Sequence, residues 1–233
     1  MTDRETPSLA RRVAAEGVGT CFLLAAVVGS GIMAERLFPG SVGLALLANA
    51  IATGAALAAL ILTFGPISGA HFNPAVTFSS VFNRELSSTD LPFYLIAQLV
   101  GAVVGVILAN LMFELPAISL SQHARHGFGQ ILSELVATFG LLTVILGSSR
   151  SRSSEVVAIA VAAYITAAYW FTASTSFANP AVTIARSLSD TFAGIAPADV
   201  AGFVGVQMLG AAAATLLFRW LISGIPVVTR IGE

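Results

Sequence analysis

Six apolar stretches, each about as long as an α-helix needs to be to cross a bilayer, dominate this chain. They run over residues 13–33, 43–64, 91–113, 129–148, 155–173 and 198–222, and about 20 helical residues span about 30 Å of hydrocarbon. A soluble domain is excluded, because 56% of the 233 residues are hydrophobic and 10% are charged. The chain reads as an all-α multi-pass membrane protein with one transmembrane domain, 1–233. Too little lies outside the stretches to build a second domain. The first stretch follows Arg4, Arg11 and Arg12 in the manner of a signal peptide, yet its length and the five stretches behind it indicate a retained helix. All 11 basic residues are arginine and the formal net charge is −1, so there is no polybasic tract for nucleic acid. Cys21 stands alone and reads as membrane packing.

The connections differ in kind. Pro39, Gly40 and Ser41 break the first; residues 116–127 form a polar third, and residues 148–154 a short fourth that carries arginine. The second, from Gly65 to Leu86, and the fifth, from Ser174 to Ala196, stay largely apolar but are too short to span. With both termini cytoplasmic, Arg4, Arg11, Arg12, Arg84, Arg150, Arg152, Arg219 and Arg230 fall inside and Arg36, Arg125 and Arg186 outside. That asymmetry is the positive-inside pattern.

The chain also repeats itself, over about 10–115 and 128–225. Glu16 and Thr20 recur as Glu134 and Thr138, and Gln98, Gly101 and Ala102 recur as Gln207, Gly210 and Ala211. Between these markers the string NPAVT occurs twice, at Asn73 to Thr77 and at Asn179 to Thr183. Each half holds three spans, and an odd number of crossings makes the second half enter from the opposite face: an inverted repeat.

Backbone at membrane depth must satisfy its own hydrogen bonds, so a connection too short to cross enters only as a half-helix lining protein or a water-filled cavity. Asn is a favoured N-cap and Pro a favoured first helical residue. Asn73 with Pro74, and Asn179 with Pro180, therefore predict two re-entrant half-helices that begin at the boxes. Inversion brings their N-termini together, each carrying about half a positive charge from the macrodipole. Cations are repelled there, while neutral solutes meet the amides of Asn73 and Asn179 against an apolar wall.

The boxes Asn73, Pro74, Ala75 and Asn179, Pro180, Ala181, the string GAHF before the first, the paired glutamates and the six-span inverted repeat resemble the aquaporin, or major intrinsic protein, family over nearly the whole chain. The resemblance implies a homotetramer in the bilayer, with one pore per protomer for small neutral solutes and water. It also implies that Glu16 and Glu134 accept hydrogen bonds from the re-entrant arms and that His71 braces the first arm. In most members arginine follows the second box and, with a large aromatic ring and a histidine, narrows the outer end of the pore. Here Val182 takes that place. Counting from the boxes as the family does puts the outer constriction at Thr53, Ala167, Ser176 and Val182, none of them aromatic or charged.

Such a throat suits glycerol-like polyols, urea and metalloid acids such as As(OH)3, besides water; a guanidinium standing in it would count against this wide reading. Arg186, four residues after Val182 and so on the same helical face, either reaches back to restore a filter charge or pairs with Asp190 or the pore mouth. A water-selective pore is the nearest alternative. An ion-coupled secondary transporter using Glu16 or Glu134 is a rival from another class, and a nonconducting scaffold is disfavoured by intact boxes. His123 and His126 flank Arg125 in a polar loop and read as solvated. No phosphate-binding glycine loop, Ser/His/Asp arrangement or HExxH string occurs, so neither an enzyme, a cofactor nor a metal is expected. Compact loops and the retained first span point to a bacterial inner membrane. Gly17, Gly19, Gly54, Gly101, Gly105, Gly205 and Gly210 are candidates for close helix contacts.

Overall fold

A computed structural model describes residues 7–150 and 152–223; Arg4 and Arg230, placed inside by the charge pattern, lie outside the described residues. Eight helices are described: α1 (Leu9–Leu37), α2 (Val42–Ser68), α3 (Pro74–Phe82), α4 (Leu91–Met112), α5 (Phe128–Ser148), α6 (Ser154–Phe171), α7 (Pro180–Arg186) and α8 (Pro197–Leu221). Six of them are long and apolar enough to cross a membrane, and α3 and α7 are the two short helices that begin at the boxes. The protein is thus a multi-pass membrane protein with the expected six spans. Two helices outrun their apolar stretches. α1 continues at both ends because nothing between Pro7 and Pro39 breaks a helix. α2 passes Pro66 and stops at Gly69, whose φ of 88° is left-handed and whose N–H donates to the Gly65 carbonyl.

The packing repeats as the sequence does. In the first half α1 lies against α2 and α4; in the second, α5 lies against α6 and α8; α2 and α6 join the halves. Between spans there is little hydrophobic drive, so close approach depends on small residues. Gly101 and Gly105 of α4 sit against the backbone of Gly17 and Cys21 in α1, where an added Cβ would collide with their carbonyl oxygens. Gly210 of α8 stands in the same relation to the Leu135 carbonyl of α5, an added Cβ falling 2.6 Å from it. Gly205 departs from expectation: it is exposed, and a Cβ there would meet nothing. Gly101→Ala is expected to lower the thermal unfolding midpoint in detergent, since overpacking a tight contact costs about 1–3 kcal/mol. An unchanged midpoint would mean that α1 moves aside at no cost.

Candidate functional site

Both short helices start as their caps dictate. Asn73 and Asn179 have extended backbone, and their side-chain oxygens accept from Ala75 N and from Ala181 N and Val182 N; Pro74 and Pro180 open the helices. Each asparagine also reaches across to the other arm. Asn73 Nδ2 donates to the Ala178 carbonyl at 2.8 Å, and Asn179 Nδ2 donates to the Phe72 carbonyl at 2.8 Å. The two tips are therefore tied together, and each amide keeps a second N–H.

The arms before the boxes are strained in matching places. Ala70 and Phe72 in one arm, and Thr175, Ser176 and Ala178 in the other, have positive φ without being glycine. Left-handed backbone costs about 1–2 kcal/mol per such residue, so something must hold each arm in place. In the first, Glu16 accepts from Ser68 Oγ (2.7 Å), His71 N (2.9 Å), Phe72 N (2.8 Å) and Gln98 Nε2 (2.8 Å). In the second, Glu134 accepts from Ser174 Oγ (2.5 Å), Phe177 N (2.9 Å), Ala178 N (2.9 Å) and Gln207 Nε2 (2.6 Å). Both carboxylates are fully buried, and four donors satisfy each. His71 Nδ1 lies 3.2 Å from Thr77 Oγ1, and its ring packs beside Tyr94.

A cavity of about 440 Å³ passes the tips. At one end it is bounded by Glu85 and Arg152, in the α3–α4 and α5–α6 connections, and at the other by Phe177 and Arg186. Leu57, Ile61, Val161 and Ile165 make an apolar wall; His71, Asn73, Asn179 and the backbone of the arms make a polar one. Thr53, Ser176 and Val182 line it. The Ser176 hydroxyl is buried and has no hydrogen-bond partner among the described residues.

Ala167 does not line the cavity. It is exposed on the outside of α6, whereas Val157, Val161, Ile165 and Tyr169, spaced by four, form the lining stripe. A position two residues from the stripe is turned about 200° away from it at 3.6 residues per turn. Tyr169 holds the place instead: it is 2% exposed, and its hydroxyl lies 3.1 Å from Thr53 Oγ1. For Arg186 the sequence leaves two places open, the filter or the pore mouth with Asp190. Helical side chains lean toward the helix N-terminus, so an arginine one turn past Val182 reaches back toward it. The residue lines the cavity, its Nε donates to the Ala193 carbonyl, and its guanidinium carbon lies 3.5 Å from the centre of the Phe177 ring. The alternative pairing with Asp190 is not made; that carboxylate accepts from Gln122 N at 2.8 Å. This end thus carries an aromatic ring that the sequence did not lead one to expect, and the guanidinium whose place the sequence left open.

Arg125 was passed over in the sequence, because one arginine in a polar loop makes no pattern. In the structure it is 7% exposed. Burial pulls its guanidinium down to about 10, which leaves it charged at neutral pH. Nearby His123 is held below the usual histidine range by burial and by the charges of Arg125 and Arg186. His126, its side chain 77% exposed, lies 3.8 Å from the Asp199 carboxylate. Among the described residues no three His, Cys, Asp or Glu gather as metal ligands.

These features agree with the proteins this chain is similar to. It is 54% identical to the aquaglyceroporin AqpS of Rhizobium meliloti (strain 1021) over 95% of this chain and 94% of the relative. It is 30% identical to the probable aquaporin AqpM of Archaeoglobus fulgidus over 93% of this chain and 98% of that one. The solved structure of the aquaglyceroporin from Plasmodium falciparum superposes with a TM-score of 0.70 over 94% of this chain and 97% of that one; at 21% identity the likeness speaks for the fold alone. The family profile described as "Major intrinsic protein" matches residues 3–156. With two tied boxes, six spans and these relatives, the chain belongs to the major intrinsic protein family.

Proposed function

We infer that the chain is a passive channel of the aquaglyceroporin type, conducting glycerol-like polyols and other small uncharged solutes together with water. It is a channel and not an enzyme, as its family membership entails. The observation that carries the reading is the cavity itself, with an apolar wall of Leu57, Ile61, Val161 and Ile165 facing a polar wall of Asn73, Asn179 and the strained arms. A polyol has that same two-sided chemistry, with C–H on one edge and hydroxyls on the other. The name of the 54% identical relative, an aquaglyceroporin, supports the same solute class. Pro74, Ala75, Pro180 and Ala181 frame the central constriction. Thr53, Ser176 and Val182, with Tyr169 and Arg186, form the outer one. Glu16, Glu134 and His71 brace the arms. Urea and arsenite are the further permeants we propose, on the strength of an outer constriction with no large group at position 182.

The water-selective alternative is favoured by one observation, the Tyr169 ring and the Arg186 guanidinium at the outer end. A permeability panel on the purified protein in liposomes separates the two. Water, glycerol, urea and arsenite are all expected to pass, with weak temperature dependence and flux linear in the gradient. Water flux alone would leave the narrow reading standing, and flux that saturates and follows an ion gradient would make the protein a carrier.

We place the protein in a bacterial inner membrane with cytoplasmic termini, because among the described residues Arg11, Arg12, Arg84, Arg150, Arg152 and Arg219 fall on the side of the termini and Arg36, Arg125 and Arg186 on the other. A single channel domain spanning 1–233, built of halves 10–115 and 128–225, assembles as a homotetramer. Large apolar side chains exposed on α2 and α6, among them Ile51, Val156 and Ile159, supply surface for lipid and for neighbouring protomers.

A further inference from the structure

We propose that Arg125, reaching in from the third connection, completes a two-guanidinium barrier with Arg186 at the Phe177 ring, and that this pair rejects cations at the outer end of the cavity. The proposal rests on the channel reading above. Both arginines are buried, at 7% and 2% exposure, and both guanidiniums end beside one ring: Arg186 at 3.5 Å and Arg125 at 4.9 Å from its centroid. Their partners are carbonyl oxygens. Arg125 Nε donates to Gly194 O at 2.7 Å, Nη1 to Ser174 O at 3.1 Å and Nη2 to Phe192 O at 3.5 Å, while Arg186 Nε donates to Ala193 O. Carbonyls orient a guanidinium without cancelling its charge. The ion pairs described involve Arg12 and His126, and neither of these two arginines. The nearby carboxylate of Glu134 is already taken up by its four donors.

Two buried like charges without a counter-ion are costly, and a protein that keeps such a pair beside its cavity marks it as a functional candidate. Their field is weakly screened, since the Debye length that tames surface charges applies to groups in contact with salt. Arg125 does not line the cavity, so it acts as a positioning residue and a fixed charge. Its own place is set by backbone bonds that stitch the third connection to the residues after α7: Ser119 N to Leu188 O and Ser121 N to Ser187 O, both at 3.0 Å. The ring it faces is fixed from the other side of the network, because Phe177 N donates to Glu134. The third connection, the second arm and the residues after α7 are therefore tied to one another at the mouth.

The test compares urea with guanidinium ion, which has nearly the same size and shape but carries a charge, in liposomes holding the full chain, Arg125→Gln, Arg125→Lys or Arg186→Gln. The guanidinium-to-urea flux ratio is expected to rise about tenfold in both Gln variants, the loss of about 1.4 kcal/mol of repulsion, and to stay near the unmodified value in Arg125→Lys. A ratio unchanged in Arg125→Gln overturns the proposal. So does a rise in Arg125→Lys equal to that in Arg125→Gln, which would leave Arg125 as a pin for the loop. If Arg125→Gln does not insert, Arg125→Met, which keeps an unbranched chain in the same place and removes only the charge, is expected to raise the ratio about tenfold, and no rise there counts against the barrier. Should the unmodified chain pass water but no urea or glycerol, the solute reading fails by itself. The ratio is then taken against water, and the barrier is judged separately.

Discussion

Val182→Arg is expected to cut glycerol and urea flux at least about tenfold while lowering water flux far less, a change of about 1.4 kcal/mol or more in the barrier for the larger solutes. Val182 is 5% exposed and lines the cavity at its outer end. An arginine there extends the side chain by one methylene and a planar guanidinium into a space of about 440 Å³ shared along the whole path. It also places a second guanidinium one helical turn before Arg186, and like charges at that spacing repel. Arg186 is already held by the Ala193 carbonyl and the Phe177 ring, so the added guanidinium extends into the opening. Val182→Ile, which adds one methylene and no charge, separates bulk from charge and is expected to change flux only slightly. Stopped-flow light scattering reads all three solutes on one preparation. Glycerol flux untouched by Val182→Arg would place position 182 away from the constriction and undo the assignment of the outer end.

Glu134→Gln is expected to destabilise the folded protein by about 2–6 kcal/mol, since it leaves two buried donors facing an amide N–H2 and each unsatisfied donor costs about 1–3 kcal/mol. The donors at risk are Ala178 N and Gln207 Nε2, which share one carboxylate oxygen, or Phe177 N and Ser174 Oγ, which share the other. The strained residues Thr175, Ser176 and Ala178 lose their restraint at the same time. Folded yield and the unfolding midpoint in detergent should fall sharply, whereas the fraction that does insert should keep its order of solute preference. Glu16→Gln is expected to behave alike, because its four donors match position by position. A Glu134→Gln protein of normal stability with ion-coupled flux abolished would instead mark the carboxylate as a transport site.

Much of the architecture was legible without coordinates. Span lengths, the doubled NPAVT string and the caps Asn73 and Asn179 are local features, each tied to its structure by a rule that acts within a few residues. The pairing of Glu16 with the first arm and Glu134 with the second followed from the resemblance, and the hydrogen bonds lie where it implied. The lining of the cavity was only half legible. Thr53, Ser176 and Val182 sit in segments anchored close to a box or opposite one, so counting reached them. Ala167 was misplaced because counting across the joint from α6 to Asn179 presumes a loop length, and an error of two residues turns a helix position from the lining to the outside. The period of four through Val157, Val161 and Ile165 pointed to Tyr169 and was the signal to follow.

The sequence by itself determined how many times this chain crosses, where its two half-helices begin and that its halves are inverted, because hydrophobic length, N-capping and crossing parity are properties of short stretches. Only the tertiary structure decided what stands at the mouth. The rotation of α6 about its axis, the backward lean of the Arg186 side chain and the inward reach of Arg125 each depend on contacts between segments far apart in the chain, and no local rule encodes them.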